Sequence, residues 1–195
     1  MSDIFDESDD AATPLTPEEK RDLIPTHIAL RRELNLAEQE NIALGSEWAL
    51  RSRQDILTDR FVMELHRRML SDVWKWAGKY RTSERNIGID HWKITMEVRN
   101  LLDDVKTQID SKAYPPDEIT VRFHHRLVQF HPFPNGNGRH ARLMADLLIK
   151  RLGGKPFSWG SGDLADESAL RKRYIAALQA ADNHDIGPLL AFARS

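Results

Sequence analysis

Apolar residues recur at spacings of three and four along most of the chain, a period that predicts helices rather than strands. Phe61, Val62, Leu65 and Met69, opened by Thr58, mark one helix, and Val98, Leu101, Leu102, Val105 and Ile109 mark a second. After Pro115-Pro116, Ile119, Phe123, Leu127 and Phe130 mark a third. From Arg139 to Leu152 the run is so largely apolar that its helix is expected to be central, ended by Gly153-Gly154 and Pro156. A last pair is expected around Leu170, Tyr174 and Leu178 and around Leu189, Leu190 and Phe192. Near the start, Thr16-Pro17-Glu18-Glu19 has the hydroxyl, proline and glutamate of a capping box, and predicts a short helix closed by Pro25. Thr26 to about Ser52 reads as one long helix or two short ones, with Gly45 as its one interruption and Leu34, Ala37, Ile42 and Trp48 as core contacts. Residues 80–94 leave this period: Ile87-Gly88-Ile89-Asp90-His91-Trp92-Lys93-Ile94 sets β-branched and aromatic residues around a Gly and an Asp, the pattern of a small hairpin. The expected fold is all-α, a bundle of seven or eight helices carrying a small β-hairpin flap.

Residues 1–15 show no apolar period and are expected to form a disordered acidic tail, leaving 16–195 as one domain. Hydrophobic residues at 41% and charged residues at 30% suit a globular protein. The absence of cysteine excludes disulfides, thiol nucleophiles and thiolate metal sites. Even the most apolar stretch, Leu143 to Ile149, contains Asp146, so no membrane span is expected. Met1-Ser2-Asp3-Ile4 does not read as a signal peptide, and a cytoplasmic location is the simplest expectation. Asp3, Asp6, Glu7, Asp9, Asp10, Glu18 and Glu19 precede the first basic residue, so the net charge of -2 conceals a mildly basic body. That excess is too small to imply nucleic-acid binding.

The chemistry concentrates in His131-Pro132-Phe133-Pro134-Asn135-Gly136-Asn137-Gly138-Arg139-His140-Ala141-Arg142, a loop between two predicted helices. Gly136 and Gly138 let the backbone turn and approach a ligand, and the unpaired N–H groups of the next helix make an anion site. Arg139 and Arg142, three apart, are expected to share a face there and to grip the oxygens of a polyphosphate. His131, on the opposite lip, titrates near neutrality in its unperturbed state and suits a proton acceptor. Singly, these features describe a turn, a cap and a solvated face. Together, a base, an anion nest and two arginines are the parts of phosphoryl or nucleotidyl transfer.

This stretch resembles the signature of the Fic/Doc family, H-P-F-x-[D/E/N]-G-N-G-R-x-x-R, at every fixed position. The resemblance continues through Leu65-His66, Trp74-Lys75-Trp76-Ala77-Gly78 and Arg81-Thr82, and is greatest to the subfamily called "mobile mystery protein B". It implies a Fic fold and the transfer of AMP from ATP to a Ser, Thr or Tyr hydroxyl of a target protein docked at the flap. By resemblance, His131 deprotonates that hydroxyl and Phe133 anchors the loop. Gly136, Asn137 and Gly138 cradle the α- and β-phosphates, and Arg139 and Arg142 hold the β- and γ-phosphates. Gly138 stands where phosphotransferase members carry lysine. Mg²⁺ is implied as well, with Asn135 at the metal position, although its neutral amide is a weaker ligand than the usual carboxylate. A toxin-like role and a small helix-turn-helix operon partner are further implications. Transfer of another nucleotide, or a nucleotide-binding regulator without transferase activity, are the alternatives.

Many family members are inhibited by a helix reading [S/T]-x-x-x-E-[G/N]. Glu40-Asn41 matches its end, but Leu36 stands at its start. Two expectations follow for Glu40: a pair with Arg142, or an ordinary surface position. His124, His125 and His140 lack the spacing of a helical zinc pair, and Trp74, Trp76 and His66 read as packing residues. Trp92 and Lys93, in the flap, are placed to meet a target.

Overall fold

The computed structural model describes residues 16–161 and 169–195. The expected acidic tail, residues 1–15, lies outside them. The elements are helices α1 (Pro17–Lys20), α2 (Arg31–Arg51), α3 (Asp59–Leu70), α4 (Ile94–Ser111), α5 (Pro116–Phe130), α6 (Asn137–Arg151), α7 (Ala169–Asp182) and α8 (Gly187–Arg194).

The expected capping box is present: the Glu19 N–H donates to Thr16 Oγ1 at 3.2 Å, and the Thr16 N–H donates to Glu19 Oε2 at 2.8 Å. The helix ends at Lys20, five residues before Pro25, because the next residues pair elsewhere. The Ile24 N–H donates to the Val73 carbonyl at 2.9 Å and the Lys75 N–H to the Asp22 carbonyl at 3.0 Å, forming an antiparallel bridge between Leu23 and Trp74. Thr58 caps α3 through the Phe61 N–H at 3.2 Å.

The stretch from Thr26 contains one helix, α2, which runs unbroken through Gly45. A Cβ at Gly45 would lie 2.8 Å from the backbone of Arg68 and Met69, so this glycine marks the crossing of α2 over α3.

The main core joins α2 to α6 through Leu34, Phe61, Leu65, Val98, Leu102, Phe123, Leu127, Phe133 and Met144. A second core joins α5 and α6 to α7 and α8 through Val121, Ala145, Ile149, Tyr174, Leu189 and Phe192. Helix α6 enters both, with Ala141, Met144, Leu147 and Leu148 in the first and Ala145 and Ile149 in the second. This is the central position its apolar sequence predicts, and it sets the N-terminus of α6 against α2, α3 and α5.

The β-hairpin expected over 80–94 is not formed. Among the described residues this stretch has no strand, only a single 3-10 turn at His91–Lys93. Its polar backbone groups are satisfied by the end of α5 and by a side chain of the segment itself. The Ile89 N–H donates to the Phe130 carbonyl at 3.4 Å, and the carbonyls of Ser83 and Ile89 accept from the buried Arg81 guanidinium. A hairpin needs those groups for its own ladder. The segment is still a flap in position, lying against the end of α5.

Candidate active site

Helix α5 ends at Phe130, and His131 adopts a left-handed backbone, φ 51°, with its N–H on the Val128 carbonyl at 3.2 Å. This is a usual way to stop a helix. The chain then places Phe133 in the core without exposure, its ring stacked on His66 (3.7 Å between centroids, 13° between planes) and edge-on to His140 (5.1 Å). The Asn137 amide brackets this turn: the Phe133 N–H donates to Asn137 Oδ1 at 2.9 Å, and Asn137 Nδ2 donates to the Phe133 carbonyl at 2.8 Å. Asn137 therefore shapes the loop with its side chain and leaves only its backbone to a ligand. His66 Nδ1 accepts from the Gly78 N–H at 2.9 Å, so Nε2 carries the proton and donates to the Asn135 carbonyl at 3.0 Å. The packing histidine thus supports the loop directly.

Gly136, at φ 78°, turns the chain into α6, and a Cβ there would lie 2.8 Å from Leu70 Cδ1. The N–H groups of Asn137, Gly138 and Arg139 have no acceptor within their own helix. The His140 N–H is the first to close back, on the Gly136 carbonyl at 2.9 Å. At Gly138 a Cβ would meet only Arg142 Nη1, at 3.6 Å. No packing demands a glycine there, and the space over the helix terminus lies open beside an arginine, as an anion site requires.

The two arginines diverge instead of sharing one face. Arg142 lies against α7, its guanidinium carbon 5.5 Å from the Tyr174 ring centre, and the Tyr174 hydroxyl lies 2.9 Å from His124 Nε2. Arg139 leans to α2, where its Nη1 donates to Glu38 Oε2 at 2.8 Å, while Glu38 Oε1 accepts from Trp74 Nε1 at 2.7 Å. Glu40 is exposed, so the carboxylate that reaches a motif arginine is Glu38, and the arginine is the first of the two. Of the two expectations for Glu40, the structure bears out the surface position and not the pair with Arg142. A helix turns about 100° per residue, which puts Glu38 on the inward side with Leu34, Asn41 and Gly45, and Glu40 on the outward side.

His131 is buried, and burial is the largest cause that lowers its pKa to about 4, followed by the charges of Arg81 and Arg85. It is therefore neutral at pH 7 and able to accept a proton. Arg85 in turn pairs with Glu19 of α1, Nη2 to Oε1 at 2.5 Å.

Asn135 Oδ1 accepts from the Gly136 N–H at 2.5 Å, and no group of three His, Cys, Asp or Glu able to hold a metal occurs among the described residues. The donor set does not fit a Mg²⁺ cage built from protein alone, and no step below passes through metal.

Four buried histidines set a pH window for stability. Burial lowers His124 to about 3, His131 and His140 to about 4, and His66 well below its ordinary value. The unfolded chain takes these protons at about pH 6.5, the folded chain only below the depressed values. Stability from the neutral forms is complete above about pH 6.5 and is lost as pH falls from there toward 4. Calorimetry should show Tm falling across that window, and a flat Tm between pH 6.5 and 4 would contradict the burial of these rings.

Glu38, Arg81, Arg85 and Tyr174 were not legible as site residues. The phase of α2 carried a signal for Glu38. The two flap arginines lie in a segment whose composition predicts a hairpin that does not form.

The bundle gathers the N-terminus of its central helix and the buried His131 at one loop, with Arg139 drawn toward α2 and Arg142 toward α7. Residues 56–149 match the Fic/DOC family, so the chain carries a Fic/DOC domain over that span. It is 27% identical over 166 residues to a "Protein adenylyltransferase Fic" of Aedes aegypti, covering 80% of this chain and 32% of that protein. It is 32% identical over 139 residues to "Protein adenylyltransferase fic-1" of Caenorhabditis briggsae, covering 67% and 25%. The chain thus spans a third or less of these curated relatives. Among solved structures, BepC of Bartonella tribocorum with bound AMPPNP superposes with a TM-score of 0.66 at 15% identity, covering 92% of this chain and 97% of that one. Fic-1 from C. elegans gives 0.64 at 22%, covering 88% and 50%. These two likenesses show the fold.

Proposed function

We propose that this protein transfers AMP from ATP to a Ser, Thr or Tyr hydroxyl of a target protein. The observation that carries the reading is the complete loop His131–Arg142, folded with a neutral histidine on one side and the open terminus of α6 on the other. The relatives named as adenylyltransferases support it. His131 takes the proton of the target hydroxyl, whose oxygen bonds to the α-phosphorus. The bond from that phosphorus to its bridging oxygen breaks, and pyrophosphate leaves. Backbone N–H groups of Asn137 and Gly138 hold phosphate oxygens, and Arg142, beside Gly138, meets the outer phosphates. Arg139 joins them after exchanging Glu38 for phosphate. A Mg²⁺ carried by the nucleotide would be held mainly by phosphates and water, and Asn135 would offer it a neutral amide oxygen at most. The flap aligns the target segment.

Residues 16–195 acting as one unit, a toxin-like setting, a small helix-turn-helix partner and a cytoplasmic location complete the proposal. The toxin-like setting and the partner are supported by the subfamily resemblance, the single unit by the apolar period that begins after residue 15, and the location by the absence of cysteine. No helix among the described residues is long and apolar enough to cross a membrane.

The test is incubation of the protein with α-labelled ATP, Mg²⁺ and cell lysate, beside His131→Ala. Label on protein that the variant abolishes supports the reading. A second reading, a nucleotide-binding regulator, is favoured by the Arg139–Glu38 pair and the missing carboxylate at Asn135, and predicts ATP binding with no labelled product. Glu38→Gln keeps an acceptor for the Trp74 indole but no charge for Arg139. It should tighten ATP binding by about three- to tenfold, a gain of roughly 1 kcal/mol in calorimetric titration. Unchanged affinity would show that Glu38 does not compete with phosphate.

A further inference from the structure

We infer that Arg81 is a positioning residue that fastens the flap to the catalytic loop, holding the edge along which a target hydroxyl approaches at a set distance from His131. The inference rests on the transferase reading for its consequence, but not for its geometry.

The Arg81 side chain has no exposed surface, and its nearest carboxylate, Glu84, stands 4.0 Å away. Its guanidinium is spent on backbone. Nε donates to the His131 carbonyl at 2.7 Å and Nη1 to the Ser83 carbonyl at 2.9 Å. Nη2 donates to the Ile89 carbonyl and lies 3.5 Å from the Phe130 carbonyl. Two acceptors belong to the flap and two to the end of α5, including the carbonyl of the catalytic histidine itself. The backbone repeats the link, through the Arg81 N–H on the Pro132 carbonyl at 2.9 Å and the Ile89 N–H on the Phe130 carbonyl at 3.4 Å.

Burying a guanidinium without a close carboxylate is costly, and it persists where several acceptors meet it in fixed geometry. A rigid planar fork spans two chain segments in a way that a lysine, whose donors sit on one atom, does not. Gly88 shows how close the flap comes. Its φ of 91° and the 2.7 Å that would separate a Cβ from His131 Cβ, with 2.9 Å to Arg81 Nη2, exclude a side chain there. The flap backbone is therefore one wall of the histidine's pocket. It contributes to the burial that keeps the ring neutral, and Arg81 holds the wall in place.

The test uses the full chain with two variants. Arg81→Lys keeps the charge and loses the fork. Gly88→Ala forces the flap off His131 with Arg81 intact, and serves if the first variant does not fold. Three readouts are taken: amide exchange at residues 83–93, the NMR titration midpoint of His131, and transfer of α-label.

Both variants should speed exchange at the Ile89 amide by about tenfold or more. Both should raise the His131 midpoint by roughly one pH unit or more. Both should lower kcat for transfer by about tenfold or more with the KM for ATP unchanged. A purely structural role would not separate kcat from KM. Exchange and midpoint at wild-type values in either folded variant would overturn the inference, as would a freed flap with undiminished kcat. If exchange and midpoint move while the wild type transfers no label, the positioning stands and the transferase reading falls.

Discussion

Replacing His131 with alanine is expected to lower transfer of α-label by about 10²- to 10⁴-fold, the usual contribution of a positioned general base, with ATP affinity close to wild type. The two effects separate because the side chain and backbone of this residue have different tasks. The imidazole accepts the proton, whereas the carbonyl accepts from Arg81 and the N–H donates to Val128. Alanine keeps both backbone bonds, and its left-handed conformation carries the Cβ strain that the histidine already bears.

The pH dependence follows from the same burial. With its pKa lowered to about 4, the free protein holds His131 unprotonated throughout the neutral range. The profile of kcat/KM should then stay level through pH 6.5, where an exposed histidine would begin to protonate, and fall only on approach to pH 4. Equal labelling by the variant would remove His131 from the reaction. An acidic limb centred near 6.5 would show a ring far more solvated than the flap and the two arginines allow.

The largest loss of stability is expected from Phe133→Ala, about 3–5 kcal/mol, because a fully buried aromatic ring is removed from between two histidine rings. At the scale of this chain that corresponds to a Tm lower by about 6–20 °C. The cost includes the loop as well as the cavity. The Asn137 amide bridges the Phe133 backbone, so a loop that is no longer anchored loosens the turn into α6 and with it the anion site. Phe133→Leu, which refills much of the volume, should recover most of the stability but not the stack on His66. Calorimetry on the pair decides the matter. A Tm for the alanine variant within about 2 °C of wild type would mean that the ring does not hold the loop.

Local pattern carried much of this protein. The spacing of apolar residues identifies α3 to α6, because one buried stripe per helix satisfies a periodicity of 3.6 whatever the partner is. The loop from His131 to Arg142 was legible as chemistry because its base, glycines and arginines are adjacent in the chain, and adjacency constrains them without reference to the rest of the fold. Thr16 and Thr58 announce their helices for the same reason, since a cap is completed within three residues.

Four outcomes were decided by tertiary structure alone. Residues 80–94 have a hairpin's composition, yet their backbone groups are taken by the Arg81 side chain within the segment and by the distant end of α5, to which that side chain is itself fastened. Gly45 looks like a breaker and is a helix crossing, which depends on what packs against it. Arg139 and Arg142 are neighbours on one helix and are drawn apart by α2 and α7. Glu38 rather than Glu40 reaches the motif because α2 crosses α3 with that side inward. Sequence period determines which residues form a helix and which side of it is apolar, through short-range sterics and burial. Which polar groups on that helix meet is set by the angle and depth at which helices pack, and those are properties of the assembled core.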